Sequence, residues 1–319
     1  SKWFNAVGPP VIDFETSFPG GEGVPVGLEV ETGGESVYLD FDGNRRIAVE
    51  VANARVNLLD FVYLNGNFAF ELGPTAIVNV NTGVSKDITD TIGISNVIRG
   101  VEVSTITFGA SDINAFIGLD GDEYFENPDD NNAMGLAVED LDFGLAMMRP
   151  TVFEFPGLEK LSPKFFALKA RADRVGFVGL EPTLTMEVFD LEVDVNWGTS
   201  PLPVRALIDF ASSFPAGDGT PVGFAVNTGD PAQPVYLDFS SELIRAVSSQ
   251  VLIKISKVVF IEGTFAIEFG PTFEVDVNVG AGVPGIPSQI KNVEMKSLSI
   301  GLSNVNVFVG WGDYFRDSN

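Results

Sequence analysis

Hydrophobic and polar residues alternate with period two along most of this chain, the spacing of a strand with one face buried and the other wet. In FAIEFGPTFEVDVNV (265–279), Phe265, Ile267, Phe269, Phe273, Val275, Val277 and Val279 read as one side, and Glu268, Glu274, Asp276 and Asn278 as the other. The rhythm returns in IAVEVANARVNL (47–58), FAFELG (68–73), AIVNVN (76–81), TLTMEVFDLEVDVN (183–196), VLIKIS (251–256) and VNVFVG (305–310). FFALKARADRV (165–175) alternates as well, although it also fits a short helix. Breakers such as PGGEG (19–23), TGG (32–34), PAGDG (215–219) and GAGVPGIP (280–287) punctuate the pattern with turns. The prediction is an all-β fold. It takes the form of an elongated antiparallel β-sheet or of sandwich modules, with acidic faces wet and phenylalanine-rich faces forming a continuous core.

The pattern also repeats on a longer scale. IDFETSFPGGEGVPVG (12–27) returns as IDFASSFPAGDGTPVG (208–223), VYLDF (37–41) as 235–239, and GNFAFELGPT (66–75) as GTFAIEFGPT (263–272). IRGVEVSTITFGASDINAFIGLDGDEYF (98–125) returns as IKNVEMKSLSIGLSNVNVFVGWGDYF (290–315). These matches define an imperfect tandem repeat of roughly 195 residues, with segments 1–96 and 97–200 in the first copy and 201–319 in an incomplete second. The expectation is a section of a longer repetitive protein.

Composition narrows the chemistry. The 44 acidic and 19 basic side chains leave a net charge of −25, which opposes binding to nucleic acid or anionic membranes. Cysteine and histidine are absent. Disulfides, thiolate nucleophiles, histidine bases and almost every zinc or copper site therefore drop out, and any metal must be a hard, oxygen-ligated ion, calcium first. No apolar run is long enough for a transmembrane helix, so membrane insertion is not expected.

The densest acidic stretch is GLDGDEYFENPDDNN (118–132). Oxygen ligands at alternate positions around a glycine can wrap a calcium ion, which makes Asp120, Asp122, Glu126, Asp129, Asp130 and Asn131 the candidate ligands. A solvated acidic loop accounts for the same residues. The stretch is not an EF-hand, because Tyr124 occupies the fifth position. Matched acids at Asp13/Asp209, Glu22/Asp218 and Asp40/Asp238 suit turn geometry, with carboxylates accepting backbone N–H groups. Glu187, Glu192 and Asp194 are the paired carboxylates a glycoside hydrolase would need, but they form a ladder, and three Trp and five Tyr provide no sugar cleft.

AFIGLDGDEYFENPDDNNAMGLAVEDLDFGLAMM (115–148), FFALKARADRVGFVGLEPTLTMEVFDLEVDVN (165–196) and VLIKISKVVFIEGTFAIEFG (251–270) resemble the long repeats of very large secreted bacterial surface proteins, the adhesin-like and RTX-like giants. The tandem GGxGxD nonapeptides of the RTX class are absent. The resemblance implies an extracellular or cell-surface location, calcium-stiffened β-rich repeats and no catalysis. Expected partners are adjoining repeats or copies of the chain itself, and a surface glycan. A carbohydrate-binding β-sandwich is the alternative, ahead of a glycoside hydrolase.

Overall fold

The structure, a computed structural model, describes residues 11–32, 34, 36–43, 46–84, 95–127, 132–151, 162–199, 206–217, 219–278, 280 and 289–312. A small first module comprises α1 (Phe14–Ser17), β1 (Leu28–Val30) and β2 (Val37–Leu39). Six long strands follow: β3 (Ile47–Leu58), β4 (Val62–Asn81), β5 (Val97–Leu119), β6 (Met134–Pro150), β7 (Lys164–Val178) and β8 (Leu184–Thr199), with α2 (Gly121–Glu126) after β5. A second module contains β9 (Leu207–Asp209), α3 (Phe210–Ser213), β10 (Phe224–Val226) and β11 (Val235–Leu237). The last strands are β12 (Leu243–Ile255), β13 (Val259–Asn278) and β14 (Gln289–Val309).

The long strands form one antiparallel sheet in the order β14-β13-β12-β8-β7-β6-β5-β4-β3, with β9 added to β4. Segment 165–175 is strand. Of the two predicted β forms the extended sheet is the one present: among the described residues the other sheets are two-stranded ribbons, β1–β2 and β10–β11, and no sandwich partner faces the large sheet. β8 pairs with β12 from Asn196↔Leu243 to Leu184↔Ile255, so the sheet continues unbroken past the second module.

A line of bulges crosses the sheet at mid-height. Register shifts fall between Val51 and Ala54 in β3, Asn65 and Asn67 in β4, Ala110 and Ala115 in β5, Ser248 and Val251 in β12, and Glu262 and Thr264 in β13. Asn53, Asp112, Asp140, Asp190 and Asn304 sit there with φ of 52°, 53°, 50°, 46° and 52°, a left-handed conformation that Asn and Asp tolerate best after glycine. Each bulge reverses which parity of residue faces which side. Because neighbours bulge at the same level, the reversals match: Ala110 packs with Ile113 and Ala115, alongside Leu64, Phe68, Val138, Leu141 and Phe143.

A second bulge corrects the reading of 265–279. The β13–β14 register shifts between Phe269 and Thr272, at Gly270 and Pro271. Phe265, Ile267 and Phe269 therefore share one face, while Phe273, Val275 and Val277 share the opposite one. Strict alternation across Gly-Pro is broken because proline has no N–H to donate to the ladder.

The buried core also lies elsewhere than expected. On the face away from the phenylalanine-rich side, the second module seals Val78, Val80, Val103, Ala146, Met148, Phe165 and Ala167 beneath Ile208, Phe210, Val226, Leu237 and Phe239. Further along that face α2 brings Tyr124 onto Tyr63, Phe116 and Ala137. The phenylalanine-rich face is not sealed: Phe70, Leu72, Phe108, Ile117, Leu298, Ile300 and Leu302 are exposed.

The two modules are built alike. Asp13 caps α1 by accepting from the Thr16 N–H at 2.8 Å, and Asp209 caps α3 from Ser212 at 2.9 Å, so these matched acids have the turn role their spacing predicted. Phe14 N–H donates to Phe41 O and Phe210 N–H to Phe239 O, both at 2.7 Å. Gly27 and Gly223, with φ of 109° and 115°, each lie where a Cβ would strike a carbonyl, Leu39 O at 2.5 Å and Leu237 O at 2.6 Å.

Candidate functional site

The bulge line brings carboxylates together. Asp112 on β5 and Asp140 and Asp142 on β6 each place a carboxylate oxygen within 4.8 Å of the others. Asp112 and Asp142 are half-buried and Asp140 is exposed. Asp112 accepts from Asn67 Nδ2 at 2.9 Å and from Gln233 Nε2, on the second module, at 3.3 Å. The Asp112 N–H donates to Asp142 at 2.9 Å, and the Asp140 N–H to Asn114 Oδ1 at 3.3 Å.

This cluster carries excess negative charge. Although Asp140 is exposed, partial desolvation at the bulge, and then the charges of Asp173, Asp142 and Asp112, push its carboxyl above its ordinary range. Burial likewise raises Asp142; the amide of Asp112 works against the rise, as does Arg171, which reaches toward Asp190 at 3.7 Å. Three carboxylates on adjoining bulges form a hard-oxygen donor set that can hold a metal ion. The sequence held a signal for it: in GASDINAF, VEDLDFG and VFDLEV the alternation slips by one residue at an aspartate, as it does at Asn304 in GLSNVNVF.

The predicted ligands lie at the far end of β5. Asp120 is exposed, and its carbonyl accepts the Tyr124 N–H at 3.4 Å as α2 begins. Asp122 and Glu126 belong to α2, so this part of the stretch is helix, while Asp129, Asp130 and Asn131 fall outside the described residues. Tyr124 anchors the helix by donating from its hydroxyl to Glu139 in a short hydrogen bond. Glu139 also takes Arg174 Nη1 at 2.6 Å, and Arg174 Nη2 reaches Glu187 at 2.7 Å. Burial and the bond to Glu139 push the Tyr124 phenol up to about 12. Burial acts to lower Arg174, but its bonds to Glu187 and Glu139 prevail and raise it.

The carboxylates considered for hydrolysis are occupied in ion pairs. Glu187 binds Arg174, while Arg245 binds Asp194 at 2.7 Å and Glu192 at 3.4 Å. A groove of about 790 Å³ opens at the other end of the sheet. Ile47, Leu72, Ile106, Met147, Phe166 and Trp197, successive cross-strand partners on six strands, line it. Six adjacent strands can line one groove only where their shared face curls inward. Among the described residues no helix is long and apolar enough to cross a membrane. No protein-family model, curated protein or solved structure matches this chain.

Proposed function

We propose that this chain is a non-catalytic structural element of a long extracellular assembly, built on an imperfect tandem repeat of roughly 195 residues. The observation that carries this reading is the junction between the copies. The second module, whose sequence restates the first, clamps onto strands β4 to β7, and the sheet passes from β8 into β12 beneath it. A unit that grips the sheet of the unit before it gains stability from each neighbour and resists bending at the joint. An extracellular or bacterial-surface setting and an adhesive use follow from the resemblance in phrase to secreted bacterial repeat proteins.

Calcium is the cation that best suits the bulge line. Its oxygen preference and flexible coordination match Asp112, Asp140 and Asp142, and its charge would offset the burial and the mutual repulsion that together raise Asp140 and Asp142. Bound there, it would join β5 to β6 at the level where the sheet is most irregular. Thermal melts in calcium, magnesium and chelator test this: calcium should raise the melting temperature most, and Asp140→Asn should abolish the gain. An equal gain in Asp140→Asn, with loss in Asp120→Asn/Asp122→Asn, would move the ion to the acidic stretch at 118–132. Identical melts in all three solutions would remove calcium from the proposal.

The groove favours one second reading, ligand binding. Its apolar row suits an aliphatic or aromatic ligand better than a glycan. Saturable uptake of a fluorescent apolar probe, lost in Phe166→Asp, would support it; absence of uptake would leave the structural role alone.

A further inference from the structure

Among the described residues lie one completed module–sheet junction and the two halves of another, both uncovered. In the completed junction β9 adds to the edge of β4 with Val80↔Ile208 and Asn79↔Asp209, and the Ser213 hydroxyl accepts from the Asn79 N–H at 2.7 Å. Above β5 the module's backbone rests on Gly109: a Cβ there would lie 2.0 Å from Asn227 O. Only glycine leaves that seat open.

The sheet half recurs on β13 and β14. The cross-strand pairs Ala76–Val103, Val78–Val101 and Val80–Ile98 of β4 and β5 correspond to Phe273–Met295, Val275–Val293 and Val277–Ile290. Gly301 stands in the place of Gly109, yet its Cβ would meet nothing closer than Ala266 Cβ at 3.8 Å. Phe273 and Met295 are each 46% exposed on this face. β13 continues beyond the start of β12, as β4 continues beyond β3, which leaves Asp276 to Asn278 at an edge matching the one β9 occupies.

The module half recurs in the first module. Ile208, Val226 and Phe239 are 0%, 0% and 7% exposed in the completed junction, while their counterparts Ile12, Val30 and Phe41 are 61%, 39% and 46% exposed. The first module has the same caps and ribbon, so its docking side is formed and bare.

We infer that Val11 to Asp42 of one molecule docks on the β13–β14 face of a second copy of this chain, with Ile12 pairing with Val277, Asp13 with Asp276, and the module's backbone over Gly301. The inference rests on the reading of the chain as an array element and names its contact. The association is head-to-tail, so each dimer still carries one bare half at either end and assembly continues past a closed dimer, into a filament or, where the rotation between copies closes, a ring.

Sedimentation velocity on the full chain in chelator tests it independently of calcium. The weight-average mass should rise with concentration, and Ile12→Asp and Gly301→Leu should each stay monomeric with the fold of the wild type by circular dichroism. Mixed in equal amounts, the two variants should form a dimer and nothing larger, because each keeps the half the other lacks. Wild-type protein that remains monomeric at every concentration, a variant that assembles like wild type, or a mixture that fails to dimerise would overturn the inference. Failure here would leave the calcium melts unaffected, and loss of the calcium effect would leave this assembly intact.

Discussion

Gly109 and Gly301 occupy matching places on β5 and β14, and the same substitution should act on them in opposite directions. An alanine methyl at Gly109 would intrude to 2.0 Å from Asn227 O, and Val226 Cγ1 lies 3.1 Å away, so the second module must lift. The module holds Ile208, Phe210, Val226, Leu237 and Phe239 in its interface. At about 1.5–3 kcal/mol for each fully buried side chain, roughly 8–15 kcal/mol of burial depends on that contact. Partial relaxation should reduce the cost of Gly109→Ala to about 2–4 kcal/mol, in the range of other overpacked cores. At Gly301 the methyl meets only Ala266 Cβ, at an ordinary contact distance of 3.8 Å, and replacing a strand glycine should stabilise by about 0.5–1 kcal/mol. Urea unfolding of both variants in dilute solution, where the chain is monomeric, gives the comparison. Equal effects at the two positions would refute the claim that the second module presses on β5.

Four further outcomes follow. Arg245→Ala should destabilise by about 3 kcal/mol because it strands the buried Asp194 carboxylate, and adding Asp194→Asn should recover part of the loss in the same unfolding assay. Tyr124→Phe should cost about 1–2 kcal/mol and loosen α2, read by hydrogen exchange of its amides; in the parent, an absorbance titration should show one tyrosine ionising at about 12. Asp140 and Asp142 have raised folded values, so between the ordinary and the raised value the folded state binds more protons and stability rises as pH falls; melts over mildly acidic pH without calcium should show this, and Asp140→Asn should flatten it. If calcium binds, a free concentration one hundred times its dissociation constant should add about 2.7 kcal/mol to stability, measurable as a shift in the urea midpoint.

Strand content was legible because period-two alternation is local; at Asp13 and Asp209 the carboxylate bond to a nearby backbone N–H was legible as turn geometry, while the short helices these residues cap were not. Which face a residue joined was not legible across a bulge. Phe269 and Phe273 share a parity but face opposite sides, since Gly270 and Pro271 insert a residue against Ser297. The same cause hid the acidic cluster: Asp112 and Asp140 are 28 residues apart in sequence and meet only because β5 and β6 bulge at one level. The acids at 118–132 were conspicuous by density, and density follows composition rather than three-dimensional approach. Burial depended on something strand patterning does not encode, namely that the second module packs over one face of β4 to β7.

Amide hydrogen exchange on the monomeric chain tests the clamp of the second module on the sheet most directly, because the two modules make the same internal bonds. Phe14 and Phe210 each donate to a partner carbonyl at 2.7 Å, and Gly27 and Gly223 each donate to a phenylalanine carbonyl at 2.9 Å. If docking on the sheet stabilises a module, Phe210 and Gly223 should be strongly protected while Phe14 and Gly27 exchange quickly, and protection of the latter should appear only as the chains associate. Equal protection of the two modules in the monomer would contradict the clamp.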